Sequence, residues 1–189
     1  GEGALELGME PAQISEGISS IPPVNGRMQQ LEGINGSTII DDSYNSSPEA
    51  SRAALDTLYR MDATQKIAVL GNMNELGKFA AGEHEAIGNY CKPGELELVV
   101  TIGPDANQYL ASAAEAKGCK VKSFDDPYSA GRYLAPHLKK GSVVLVKGSQ
   151  NKVFAEETVK LLLKNPNDST KLVRQSPYWL KIKAKSFKN

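Results

Sequence analysis

Net charge is the first thing this sequence lacks. Its 22 Lys and Arg are matched by 22 Asp and Glu, so no global field exists to gather nucleic acid or an anionic membrane. That balance argues against a dedicated nucleic-acid binder, though not against a local basic patch. Cysteine is scarce as well: the 2 present, Cys91 and Cys119, lie far apart without metal-ligand spacing. Both fall in stretches that read as core, so they are expected to be reduced structural thiols, a usage that fits the cytoplasm. No apolar run approaches membrane-spanning length, and the amino terminus has no signal-peptide pattern. Membrane insertion is therefore not expected. Internal repeats and low-complexity segments are missing too.

What is present is the balance of a globular protein, 40% hydrophobic and 23% charged, in a length that suits one ordinary domain with short extensions or two very small ones. Gly1 rather than Met opens the chain, and residues 1–20 read as a stretch of helix with no domain around it. A piece of a longer protein is the expectation. Ile21-Pro22-Pro23-Val24-Asn25-Gly26 is a stiff connector, because two prolines fix φ and the glycine permits a sharp exit. Residues 27–32 and 37–41 read as antiparallel strands joined by Gly33-Ile34-Asn35-Gly36, with Asn-Gly turn chemistry.

From there strands and helices alternate. Helices are expected over 48–60, 81–91, 106–117, 126–138 and 152–163, and strands over 66–70, 97–102, 120–124 and 142–147. Ser46 or Ser47 would cap the first helix, with Pro48 in its first turn and Glu49 complementing the dipole. Ala50, Ala53, Ala54 and Leu58 would form its apolar face. This alternation means parallel strands with helical crossovers. The predicted fold is α/β, a Rossmann-like open sheet of about six mostly parallel strands with one antiparallel edge strand and helices on both faces. The expected division is 1–25 as preceding helix and hinge linker, 26–164 as the domain, and 165–189 as a basic extension. The simple reading of that extension is a surface arm that docks Trp179 on the domain, with a partner or membrane-surface contact as the alternative.

Ligands of open α/β sheets gather outside the carboxyl ends of the strands. Asp41-Asp42-Ser43-Tyr44-Asn45 lies at such an end. Adjacent acids there are costly unless something cationic or hydroxylated uses them, although a helix cap with a solvated acid would look the same. Gly71-Asn72-Met73-Asn74-Glu75-Leu76-Gly77, with His84 behind it, brings glycines that admit a ligand to a helix start. It is not a Walker A motif, since the Gly-Lys-Ser/Thr ending is missing. His84 is a candidate base, yet a lone helical His is also a common surface or capping group. Lys147-Gly148-Ser149 could present a cation and a hydroxyl to a carboxylate or phosphate, or be a glycine turn with a solvated lysine. Arg27 could fork onto phosphate or ribose, or be an exposed arginine at a strand start.

In this order and spacing, four motifs together resemble the carboxy-terminal domain of the Mur ligases. They are Gly26-Arg27-Met28; Ile40-Asp41-Asp42-Ser43-Tyr44-Asn45 with Pro48; Leu70-Gly71 with Met73, Glu75-Leu76-Gly77 and His84; and Val144-Leu145-Val146-Lys147-Gly148-Ser149. The resemblance runs over roughly residues 1–163 and is strongest to the branch that adds D-alanyl-D-alanine. It implies an ATP-dependent amide-bond ligase of peptidoglycan precursor synthesis, with three domains. ATP, with Mg2+ bridging its phosphates, activates the carboxylate of UDP-MurNAc-tripeptide as an acyl phosphate, which the amine of D-Ala-D-Ala attacks.

The resemblance further implies that Arg27, Asp42, Tyr44 and Asn45 serve the nucleotide, and that Asn72, Glu75, Lys147 and Ser149 serve the incoming dipeptide. His84 would sit near the junction, and no metal ligand is implied in this chain. Such a domain would close over the absent amino-terminal and central domains and be inactive alone. Asn72 stands where the family usually has Asp, Ser47 where Asn often precedes the proline, and Gln150 where Arg usually follows Lys147-Gly148-Ser149. The alternatives are a sister Mur or folylpolyglutamate-type ligase domain with another amino-acid substrate, and a non-catalytic nucleotide-binding or interaction module.

Overall fold

The computed structural model describes residues 24–187. The helix expected over 1–20 and the first three connector residues, Ile21, Pro22 and Pro23, lie outside the described residues, as does Lys188 of the basic run.

Two short strands, β1 (Gln29–Glu32) and β2 (Thr38–Asp42), pair antiparallel with Gln29 opposite Asp41. Their turn uses the left-handed conformation on the residues the sequence offered for it, Asn35 at φ 55 and Gly36 at φ 70. Four further strands follow: β3 (Gln65–Gly71), β4 (Leu98–Ile102), β5 (Val121–Phe124) and β6 (Ser142–Lys147). The order across the sheet is β1-β2-β6-β3-β4-β5, and every pairing except the first is parallel. The predicted architecture holds.

The helices are α1 (Pro48–Arg60), α2 (Ala80–Tyr90), α3 (Ala111–Ala116), α4 (Pro127–Leu134), α5 (Glu156–Leu162) and α6 (Pro177–Ser186). Two of them differ from expectation at their starts. A wide turn over Ala106–Leu110 precedes α3. Helix α5 begins four residues late, because Lys152 and Phe154 take φ of 66 and 49, which no helix tolerates. Helix α1 is capped as expected, Ser47 Oγ accepting from the Ala50 N–H at 3.2 Å. Its inner face is Ser51, Ala54, Leu55 and Leu58, whereas Ala50 and Ala53 are exposed. Ser51 is tolerated there because its hydroxyl meets that of Ser46 at 3.0 Å.

Alternation along the strands splits the core in two. Ile39, Val144 and Val146 face one side, under α4, α5 and Leu172; Ile40, Val143 and Leu145 face the other, under α1 and α2. Two consequences position the site. First, β6 lies between β2 and β3, so Lys147 is register partner to both Asp42 and Leu70. Second, β1 runs antiparallel, so its start, and Arg27 just before it, arrives beside the carboxyl end of β2.

Candidate functional site

Asp42 and Lys147 end adjacent strands on the same face. Lys147 Nζ donates to Asp42 Oδ2 at 2.6 Å and to the Asn45 carbonyl at 3.0 Å, with the lysine side chain 3% and the aspartate 13% exposed. Asp42 Oδ1 accepts from the Met28 N–H at 3.1 Å, tying β1's entry to β2's exit. Burying a lysine is costly unless a carboxylate and further acceptors meet its ammonium, and both are supplied here.

Above this pair opens a cavity of about 470 Å³. Arg27, Asp42, Tyr44, Asn45 and Lys147 all line it, and Ala50 and Ala53 of α1 form an apolar floor, which explains why those alanines are not in the core. The Arg27 guanidinium lies 4.3 Å from the centre of the Tyr44 ring, a cation–π stack whose flat outer surface suits a planar ligand. The four residues expected on the nucleotide side therefore share one rim. Lys147, expected on the dipeptide side, lies with them instead: its register opposite Asp42 aims the ammonium into this cavity.

A second cavity, of about 230 Å³, adjoins the first, with Asn45, Ser46 and Ser47 as a shared wall. Its other side is built from Glu75, Ser149 and Gln150. Ser149 Oγ accepts from the Asn74 N–H at 2.8 Å, and Asn74 Nδ2 donates to the Asn151 carbonyl at 2.6 Å. These bonds pin the loop after β3 to the loop after β6. Glu75 is exposed and held at φ 67, a conformation a glutamate adopts only under constraint.

Two expected residues are brought to neither cavity. Asn72 is 8% exposed; its Oδ1 accepts from the Ala106 N–H at 2.8 Å and its amide nitrogen lies 3.5 Å from the Asp105 carboxylate. Its side chain is occupied in starting the turn before α3. His84 is 0% exposed. Its Nε2 accepts from the Met73 N–H at 2.9 Å and its Nδ1 faces the Ala80 carbonyl at 2.7 Å, which fixes the tautomer with the proton on Nδ1. Both ring nitrogens are engaged with backbone, so His84 anchors the loop after β3 and has no free nitrogen to act as a base.

The opposite face of β2 holds a cluster the sequence reading missed. Arg174 forks onto Glu156, Nε to Oε1 at 2.8 Å and Nη2 to Oε2 at 2.7 Å. Lys183 Nζ lies 2.8 Å from Glu156 Oε1 and 2.6 Å from Glu157 Oε1. All four are buried. Arg174 also reaches the β2 exit, donating to the carbonyls of Ser43 at 2.6 Å and Tyr44 at 3.1 Å. Trp179 packs edge-on against Phe154, ring centres 6.3 Å apart. Asp41, 0% exposed beside this cluster, has one oxygen bonded to the Ser43 N–H at 3.1 Å and the other without a partner. Burial, with added repulsion from Glu156 and Asp42, pushes its pKa up to about 6.

Comparison with known proteins identifies the family. The family model "Mur ligase, glutamate ligase domain" matches residues 26–150. The UDP-N-acetylmuramoyl-tripeptide–D-alanyl-D-alanine ligase of Mycobacterium tuberculosis (strain CDC 1551 / Oshkosh) is 34% identical over 167 residues, covering 77% of this chain and 33% of that protein. The ligase of the same name from Synechocystis sp. (strain ATCC 27184 / PCC 6803 / Kazusa) is 30% identical over 160 residues, covering 85% and 35%. Among solved structures, the MurF ligase from Thermotoga maritima in complex with ADP superposes with a TM-score of 0.64 at 34% identity, covering 75% of this chain and 31% of that one. The chain thus spans about a third of the length of the curated relatives it matches. With the family model matching well over half of its residues, the chain belongs to the Mur ligase family.

Proposed function

We propose that this chain is the closing domain of an ATP-dependent ligase that adds D-Ala-D-Ala to UDP-MurNAc-tripeptide through an acyl phosphate, in the cytoplasm. The observation that carries the reading is the convergence of Arg27, Asp42, Tyr44 and Asn45 on one cavity that shares a wall with a second, polar one. In the first, the Arg27–Tyr44 stack and the alanine floor of α1 would hold a purine. Asp42 retains lone pairs beyond those given to Met28 and Lys147, and would accept from ribose hydroxyls. Lys147 fixes the carboxylate that does so, and belongs to the nucleotide side. In the second, Ser149, Gln150 and the Asn74–Glu75 loop would receive the dipeptide, the Gln150 amide serving where the family's arginine would.

Among the described residues no group of three or more His, Cys, Asp or Glu is placed to hold a metal ion. By the family resemblance, Mg2+ would accompany ATP in the assembled ligase. The chain's own task is closure: an acyl phosphate must be kept from water and presented to an uncharged amine in line. The connector ending at Gly26, whose φ of 68 gives the sharp exit, is the natural hinge.

The test joins this chain to the amino-terminal and central domains of such a ligase and follows phosphate release with ATP, UDP-MurNAc-tripeptide and D-Ala-D-Ala. Release should require all three. Release that continues without the dipeptide, or that a different amino acid supports better, would refute the assignment.

A further inference from the structure

We infer that the carboxy-terminal segment, through Arg174, is a positioning element of the cleft's nucleotide side, an inference that rests on nucleotide binding at the Arg27–Tyr44 cavity. The family match ends at residue 150, so this segment lies beyond it. Yet it returns to the corner from which the cavity is built. The Tyr44 N–H donates to the Gly26 carbonyl at 2.9 Å, joining the connector's exit to the loop after β2. Val173 and Arg174 close over that junction. A side chain at Gly26 would sit 3.0 Å from Val173 Cγ1 and 3.0 Å from the Tyr44 nitrogen. Arg174 then holds the carbonyls of Ser43 and Tyr44 from the far face of the strand.

The arginine is itself over-determined. Glu156 takes two of its N–H groups, and Lys183 donates to the Arg174 carbonyl at 2.8 Å. A guanidinium fork fixed at both ends sets the direction of whatever it binds. Here that is the backbone carrying the Tyr44 ring, and with it the stack beneath Arg27. Stability alone does not call for this arrangement, since an apolar cluster of equal volume would serve as well or better. The charges are oriented toward two carbonyls of the cleft loop.

The decisive variant is Arg174→Lys, which keeps a cation for Glu156 but loses the fork onto Ser43 and Tyr44. In the three-domain ligase the KM for ATP should rise about ten-fold, the effect of one charge-assisted hydrogen bond, with the KM for the dipeptide within about two-fold. In the chain by itself, amide exchange at Tyr44 should accelerate by a similar factor. Lys181→Ala, at an exposed position of α6, should change neither. A Tm that falls while the ATP KM and Tyr44 exchange stay put would overturn the inference. Should Arg174→Lys not fold, the pair Arg174→Gln with Glu156→Gln removes the fork without leaving a lone buried charge, since Lys183 keeps Glu157 at 2.6 Å; an unaltered ATP KM there is equally fatal. A parent ligase that does not saturate with ATP would instead refute the nucleotide reading itself.

Discussion

On β2, Asp41 and Asp42 point to opposite faces of the sheet, and the two carboxylates meet different surroundings. Asp42 faces α1, which leaves a cavity beside it, and Lys147 lies opposite at 2.6 Å. Asp41 faces α5 and the carboxy-terminal segment, where two cations are already claimed by Glu156 and Glu157. One oxygen of Asp41 is left with nothing to bond. The same residue type, one position apart, is thus a paired group at an open rim and a strained group in a closed interior. An ionised group can be kept ready for a ligand where water and a counter-ion reach it. On the closed face, charge serves only to fix geometry, and any surplus is a cost.

The sharpest way to break this comparison is to remove one cation from the closed face. Lys183→Ala leaves Glu156 to Arg174 and Glu157 to the partly exposed Lys160 at 3.9 Å, and should cost about 3–5 kcal/mol of stability in urea unfolding, the penalty of an undercompensated buried charge. Asp42→Asn should cost less, about 2 kcal/mol, because the cavity admits water to Lys147 once its partner is neutral. It should also weaken ATP binding in the three-domain ligase while leaving the dipeptide KM nearly unchanged. Equal stability losses for the two variants would abolish the distinction between open and closed faces.

The open face was legible in the sequence, and the closed one was not, for physical reasons. Apolar runs such as Val143, Val144, Leu145 and Val146, punctuated by Ser47-Pro48 and Asp126-Pro127 caps, report local backbone preference directly. Strand-end motifs report the open rim because strand ends are where ligands sit. Arg174 meets Ser43 across 131 positions of sequence, and nothing local distinguishes it from the solvated lysines around it. By composition, residues 165–189 read as a polar, basic arm; long-range ion pairs draw Arg174 and Lys183 inside. Polarity near a loop misled in the other direction as well. His84 and Asn72 carry the right chemistry for a site, but unpaired backbone N–H groups of Met73 and Ala106 had the first claim on them.

Asp41 gives a test of the closed face that runs with pH. Its folded pKa, about 6, lies above the ordinary aspartate value of 3.8, so between those values the native state holds a proton that the unfolded chain has released. The stability Asp41 contributes is fully present below about pH 4 and is lost as pH rises through 6. Asp41→Asn removes that loss, and should make the protein more stable at pH 7 by about 1–2 kcal/mol, with about 3 kcal/mol as the ceiling set by the shift. The new amide still accepts from Ser43, and it lies opposite Gln29, the register partner whose Oε1 is also unbonded. Unfolding at pH 4 should show little difference between the two proteins. A variant less stable at pH 7 would mean that the Asp41 charge is compensated in the fold.

The smallest expected effect concerns Asn72, where the family resemblance leads one to expect an acid. Its Oδ1 receives the Ala106 N–H, a task a carboxylate would perform at least as well. The other end of the side chain decides the matter: the amide nitrogen lies 3.5 Å from the Asp105 carboxylate. Asn72→Asp would set two carboxylates against each other at a site 8% exposed, and like charges so placed raise a pKa and cost stability. The expected loss is about 1 kcal/mol at pH 7, shrinking as pH falls and one of the pair takes a proton. Because Asn72 reaches neither cavity, the KM values for ATP and dipeptide should both hold. A changed dipeptide KM without a stability loss would place this side chain in the substrate cleft after all, and would move the boundary between the open rim and the closed interior by one loop.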